Sequence, residues 1–131
     1  MNQRILIVED QFLIAIAIED AILALGHHVT GIAATCPDAI KHSEMADIAL
    51  VDINLADGPT GPAIGRELAK KGCTVIFMTA NPEAVAGGID GVIGVISKPV
   101  RDLDLVGVIQ YASALRQGEI LPAPTSLKLF A

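Results

Sequence analysis

Aromatic residues are almost missing from this chain: no tryptophan, one tyrosine and three phenylalanines in 131 residues. The core must therefore be built from aliphatic side chains, and the composition is 52% hydrophobic. Cations are scarce as well. Nine Lys and Arg stand against fifteen Asp and Glu, for a net charge of −6, and no five-residue window gathers more than two cations. Phosphate backbones and anionic lipid need clustered cations, so neither nucleic acid nor a membrane surface is expected as a partner. No apolar run approaches the roughly 18 residues of a membrane-spanning helix. The opening "MNQRILIVED" also lacks the apolar region of an export signal, so the expected location is cytoplasmic. Only Cys36 and Cys73 are present, far apart, without a CxxC spacing or a histidine partner pattern. That leaves a structural disulfide or, as read here, two reduced thiols.

What the chain does have is rhythm. Short aliphatic runs recur at Ile5–Val8, His28–Ala33, Ile48–Val51, Thr74–Met78 and Val92–Ile96. Runs without polar alternation suit strands covered on both faces, as in a parallel sheet. Between them the pattern predicts helices over about 11–25, 37–45, 62–71 and 100–116, with Gly26 and Gly72 as stops and Pro37, Pro62 and Pro99 near starts. Regular β–α alternation implies an α/β domain, a doubly wound five-stranded parallel sheet flanked by helices. The segment "NPEAVAGGIDG" carries three glycines, so helix 4, the one between the fourth and fifth strands, is expected to be shortened to a turn or two. Residues 1–118 read as the domain and 119–131 as a tail. The tail has two prolines and no strand or helix period, yet holds enough apolar residues to drape over a surface.

In open parallel sheets, ligands bind beyond the carboxyl ends of the strands. There the first run ends in Glu9 and Asp10, the third in Asp52, the fourth in Thr79, and the fifth in Ser97, Lys98 and Pro99. With strand order 2-1-3-4-5, Asp10 and Asp52 would be about 5 Å apart, within reach of the Lys98 stem. Two carboxylates about 4 Å apart repel by roughly 4 kcal/mol at an effective dielectric near 20, so a proton or a cation must sit among them. Three acids with carbonyl and water oxygens suit Mg²⁺. A carboxylate held beside a metal, a lysine and a hydroxyl is equipped to attack phosphorus. Asp52 would be the nucleophile, with Lys98 and Thr79 serving the phosphoryl oxygens.

This ordered set, "ILIVED", "IALVDINL", "VIFMTA" and "VISKPV", resembles the receiver domain of two-component response regulators over about residues 3–117. The resemblance implies a flavodoxin-like fold, with Asp52 as phospho-acceptor and Asp10 as direct Mg²⁺ ligand. Glu9 would be a supporting acid acting through water, and the Asn54 carbonyl would complete the ligand set. Thr79 would be the switch hydroxyl and Lys98 the phosphate-binding lysine. It also implies a phosphohistidine donor on a sensor histidine kinase or phosphotransfer protein, and an output or phosphate sink acting through a protein partner. Chemistry would be limited to self-phosphorylation and autodephosphorylation, so no enzyme acting on a free substrate is expected. The chain is also similar to stand-alone receivers of alphaproteobacterial type. The alternative is a degenerate receiver that binds partners without phosphorylation.

Departures from the family pattern are visible. Val95 stands where many receivers have a switch aromatic, Thr79 and Lys98 are only 19 positions apart, and Ala56 replaces a common proline. The first helix is apolar on more than one face. Ile14, Ile18, Ile22 and Leu25 make a core stripe, while Phe12, Leu13, Ile16 and Leu23 are left for a kinase, a phosphotransfer domain, a second copy, or cover by the tail. His27 and His28 are neighbours on opposite faces of a strand, which favours a satisfied edge pair over a metal pair.

Overall fold

The computed structural model describes residues 2–130. Its strands are β1 (Arg4–Val8), β2 (His28–Ala33), β3 (Ile48–Asp52), β4 (Thr74–Thr79), β5 (Val92–Ser97) and β6 (Leu127–Leu129). Its α-helices are α1 (Phe12–Ala24), α2 (Cys36–Lys41), α3 (Gly61–Lys70) and α4 (Asp102–Arg116). All five aliphatic runs are strands in the expected order, and they pair in parallel as β2-β1-β3-β4-β5. The β4–β5 connection holds only a 3-10 turn, Pro82–Val85, which is the expected shortening of helix 4. Thus α4 here is the helix that follows β5.

The sheet has one strand more than the five expected. Residues after α4 return to the β5 edge, and β6 pairs antiparallel with it. A three-residue strand is too short to display a period, which is why the sequence pattern did not announce it. This path also removes one expectation for α1. The segment does not cover its outer face, where Phe12 and Leu13 remain 70% and 82% exposed.

Strand alternation divides the core in two. Leu6, Val8, Ala49, Val51, Val75 and Phe77 face α2 and α3, packing with Ala39, Ile64 and Leu68. Ile5, Ile7, Ile48, Leu50, Ile76, Met78 and Ile96 face α1 and α4, packing with Ile18, Ile22, Leu105 and Val108. Ile5 to Val8 are completely buried. Each such side chain contributes roughly 1.5–3 kcal/mol, enough to anchor the end of β1 while it carries a buried carboxylate. Cys36 and Cys73 are both free thiols, the second buried.

Candidate functional site

Parallel register delivers the polar residues together. Val8 lies opposite Val51, so Glu9 and Asp52 leave the sheet at the same edge. Thr79 pairs with Ser97, and the Lys98 amide donates to the Thr79 carbonyl at 2.8 Å. Carboxylate oxygens of Glu9, Asp10 and Asp52 lie within 4.8 Å of one another. Glu9 and Asp52 are buried, whereas Asp10 is exposed. The Lys98 ammonium bridges the buried pair, 2.6 Å from Glu9 Oε1 and 2.8 Å from Asp52 Oδ2. The free oxygens are also occupied: Glu9 Oε2 accepts the Gln11 amide at 3.1 Å and Asp52 Oδ1 the Asn54 amide at 3.2 Å. Lys98–Pro99 is a cis peptide bond.

Alternation explains who meets whom. Glu9 continues the stripe Ile5, Ile7; Asp52 continues Ile48, Leu50; Lys98 continues Ile96. All three therefore belong to the α1/α4 side of the sheet. Thr79 continues Val75 and Phe77, on the α2/α3 side. It reaches the same edge buried, but its hydroxyl accepts the Asn81 amide at 3.1 Å.

Burial pushes the Glu9 carboxyl above its ordinary range, helped by the charge of Asp52, while the bonds from Lys98 and Gln11 oppose the rise. For Lys98, burial disfavours the ammonium, yet the hydrogen bonds to Asp52 and Glu9 outweigh it and the group stays above its usual value. The site thus holds its cation firmly.

The loop after β3 is packed against the acids. A Cβ on Gly61 would lie 2.4 Å from the Asp52 carbonyl oxygen and from Ile53 Cα, so only glycine lets α3 begin there. Across the same loop, Asp57 accepts the Cys36 amide at 3.0 Å and the Thr60 hydroxyl at 2.8 Å. This places the start of α2 and the start of α3 on one side chain.

The model of the response regulator receiver domain matches residues 5–110. The chain belongs to the response regulator receiver family. The receiver is 37% identical over 122 residues to the phyllosphere-induced regulator PhyR of Methylorubrum extorquens, covering 89% of this chain and 46% of that protein. Among solved structures, PhyR from Brucella abortus superposes with a TM-score of 0.80 at 33% identity, covering 90% of this chain and 50% of that one. The PhyR receiver domain of Erythrobacter litoralis gives 0.77 at 28% identity, covering 95% and 97%. The receiver spans about half the length of the curated relative it matches.

Beside the acid cluster, the receiver has a largely apolar groove of about 500 Å³ between α1 and the start of α4. Leu13, Ile14, Ala17, Pro99, Val100 and Leu105 line it, and Lys98 forms part of its wall. No described helix is long and apolar enough to cross a membrane. Two features of the site escaped sequence reasoning. Glu9, expected to support a metal through water, also lies buried against Lys98, a contact that strand alternation extended by one residue makes legible by putting both on one side of the sheet. The Asp57 tether depends on a loop fold that no periodicity reports.

Proposed function

We propose that this receiver is a phospho-accepting switch or phosphate shuttle in which Asp52 takes the phosphoryl group of a phosphohistidine donor. The observation that carries this reading is the Lys98 ammonium, 2.8 Å from Asp52 inside a buried acid cluster. An Asp52 carboxylate oxygen forms the new bond to phosphorus as the donor's N–P bond breaks. The imidazole leaves with the electron pair and takes a proton from solvent. Lys98 then balances charge on the phosphoryl oxygens, and the Thr79 hydroxyl donates to one of them after leaving Asn81.

The donor set fits Mg²⁺, since it consists of hard carboxylate oxygens with one exposed member, Asp10, open to hydrated ions. Asp10, Asp52 and the Asn54 carbonyl would hold the ion directly. Glu9 would act from behind, by fixing Lys98. When bound, Mg²⁺ supplies further neutralisation of the phosphoryl charge. The exposed Phe12 and Leu13 and the groove beside Lys98 form the face on which the sensor histidine kinase or phosphotransfer protein docks. Chemistry is confined to self-phosphorylation and autodephosphorylation, and output passes through a protein partner.

Acetyl phosphate or phosphoramidate with Mg²⁺, followed by intact-mass measurement, tests the reading. One phosphoryl group should be gained only with Mg²⁺ and lost in Asp52→Asn. No adduct from these donors or from a phosphohistidine protein would leave a phosphorylation-independent binding module.

A further inference from the structure

The segment after α4 is fastened to both halves of the core. Leu127, Lys128 and Leu129 pair with Ile96, Val95 and Gly94, and the Phe130 amide donates to the Ile93 carbonyl at 3.0 Å. Leu127 is buried on the α1/α4 side. Phe130 packs on the other side, edge-on to Phe77 with ring centroids 6.3 Å apart. Gly94 is shaped for this arrangement, because a Cβ there would lie 2.5 Å from the Lys128 carbonyl oxygen. The ring also occupies room left by the short β4–β5 connection, where a Cβ on Gly88 would be 3.3 Å from Phe130.

That connection begins at the functional site. The Thr79 hydroxyl accepts the Asn81 amide, Asn81 precedes the turn Pro82–Val85, and the Gly88 amide donates to the Val85 carbonyl at 2.8 Å. Gly88 then meets Phe130. A second route is shorter. Phe77, two residues before Thr79 on the same side of β4, touches the Phe130 ring directly. The Thr79 hydroxyl is thus bonded at the start of the connection whose Gly88 end lies against Phe130.

We propose that residues 127–130 are a strap whose docking on β5 depends on the Thr79–Asn81 hydrogen bond, so that phosphorylation of Asp52 loosens it. The trigger rests on the phospho-acceptor reading above, whereas the coupling itself does not. Turning Thr79 away deprives the Asn81 amide of its acceptor, shifts the turn, and weakens the seat of Phe130. Three paired residues and one aromatic contact make an element of low local stability, which a change at one hydrogen bond is able to bias.

Amide exchange on the full chain tests this without phosphate. In unphosphorylated Thr79→Ala, the Phe130 amide should exchange about tenfold faster, while core amides such as Ile7 and Leu50 keep their rates. Thr79→Ser, which retains the acceptor, should behave as the parent protein. Coupling is reciprocal, so Phe130→Leu should raise exchange at Asn81 and Gly88. An unchanged Phe130 rate in Thr79→Ala, or an equal rise in Thr79→Ser, overturns the proposal. In a second arm, acetyl phosphate is added and the mass measured alongside. A stoichiometric adduct with an unchanged Phe130 rate also overturns it. Absence of any adduct counts against the phospho-acceptor reading instead, and Thr79→Ala alone then decides the coupling.

Discussion

Glu9 and Lys98, 89 positions apart in sequence, meet at 2.6 Å, a closer contact than Lys98 makes with Asp52. Glu9 is 1% exposed, so removing its partner strands a carboxylate in the interior. Breaking such a pair costs about 3–5 kcal/mol. We expect Lys98→Ala to lose stability on that scale in urea without divalent ions, and Glu9→Gln in the same background to recover much of it. Added Mg²⁺ should stabilise Lys98→Ala more than the parent protein, because it replaces the missing cation. Equal Mg²⁺ responses would argue that Lys98 and the metal do not share a task.

Gly61 offers a steric test of the same region. A Cβ 2.4 Å from the Asp52 carbonyl oxygen must displace the strand end or the start of α3. Overpacking of this kind costs about 1–3 kcal/mol. Gly61→Ala should lower the unfolding free energy measured in urea by that amount and slow labelling of Asp52 by acetyl phosphate.

Docking and chemistry should separate at Leu13, which is 82% exposed and lines the groove beside Lys98. Leu13→Asp is expected to weaken transfer from a phosphohistidine protein while labelling by acetyl phosphate is unchanged. A parallel loss with both donors would place Leu13 in the fold and not in the docking face.

His27 Nδ1 accepts the Gln3 amide at 2.9 Å, and burial, with smaller contributions from nearby positive charge, holds the imidazole below its ordinary value. The folded protein therefore binds this proton less readily than the unfolded chain does. Stability is present in full above the unfolded pKa of about 6.5 and declines as pH falls below it, until the folded group also titrates. Thermal melts at pH 7.5 and 5.5 should show that decline, reduced in His27→Asn.

Thiol reactivity should be unequal. Burial pushes the Cys73 thiol up to about 12, while Cys36 is only half-buried. A thiolate reagent at pH 8 should label one cysteine per folded molecule, and Cys36→Ser should abolish that fast reaction.

The sheet was legible because each parallel strand is covered on both faces and so reads as an unbroken aliphatic run; "ILIV" and "IALV" show it. The site was legible because those runs stop in Glu9, Asp10, Asp52, Thr79 and Lys98. What stayed hidden depends on distant partners. Leu127–Leu129 is a strand only because β5 is there to receive it, and Phe130 has a place only because the β4–β5 connection is short. The Glu9–Lys98 bond likewise joins two residues whose common side of the sheet follows from alternation, but whose contact needs the folded edge.

A bare β5 would be an adhesive border, a row of unpaired amides and carbonyls ready to recruit a strand from another molecule. β6 replaces that border with a rim of three residues that carries the exposed Lys128. So short and charged a rim is a poor template for further pairing. Whatever lifts β6 therefore turns a blunt border of this protein into a cohesive one, and self-association at high concentration should report how often that happens.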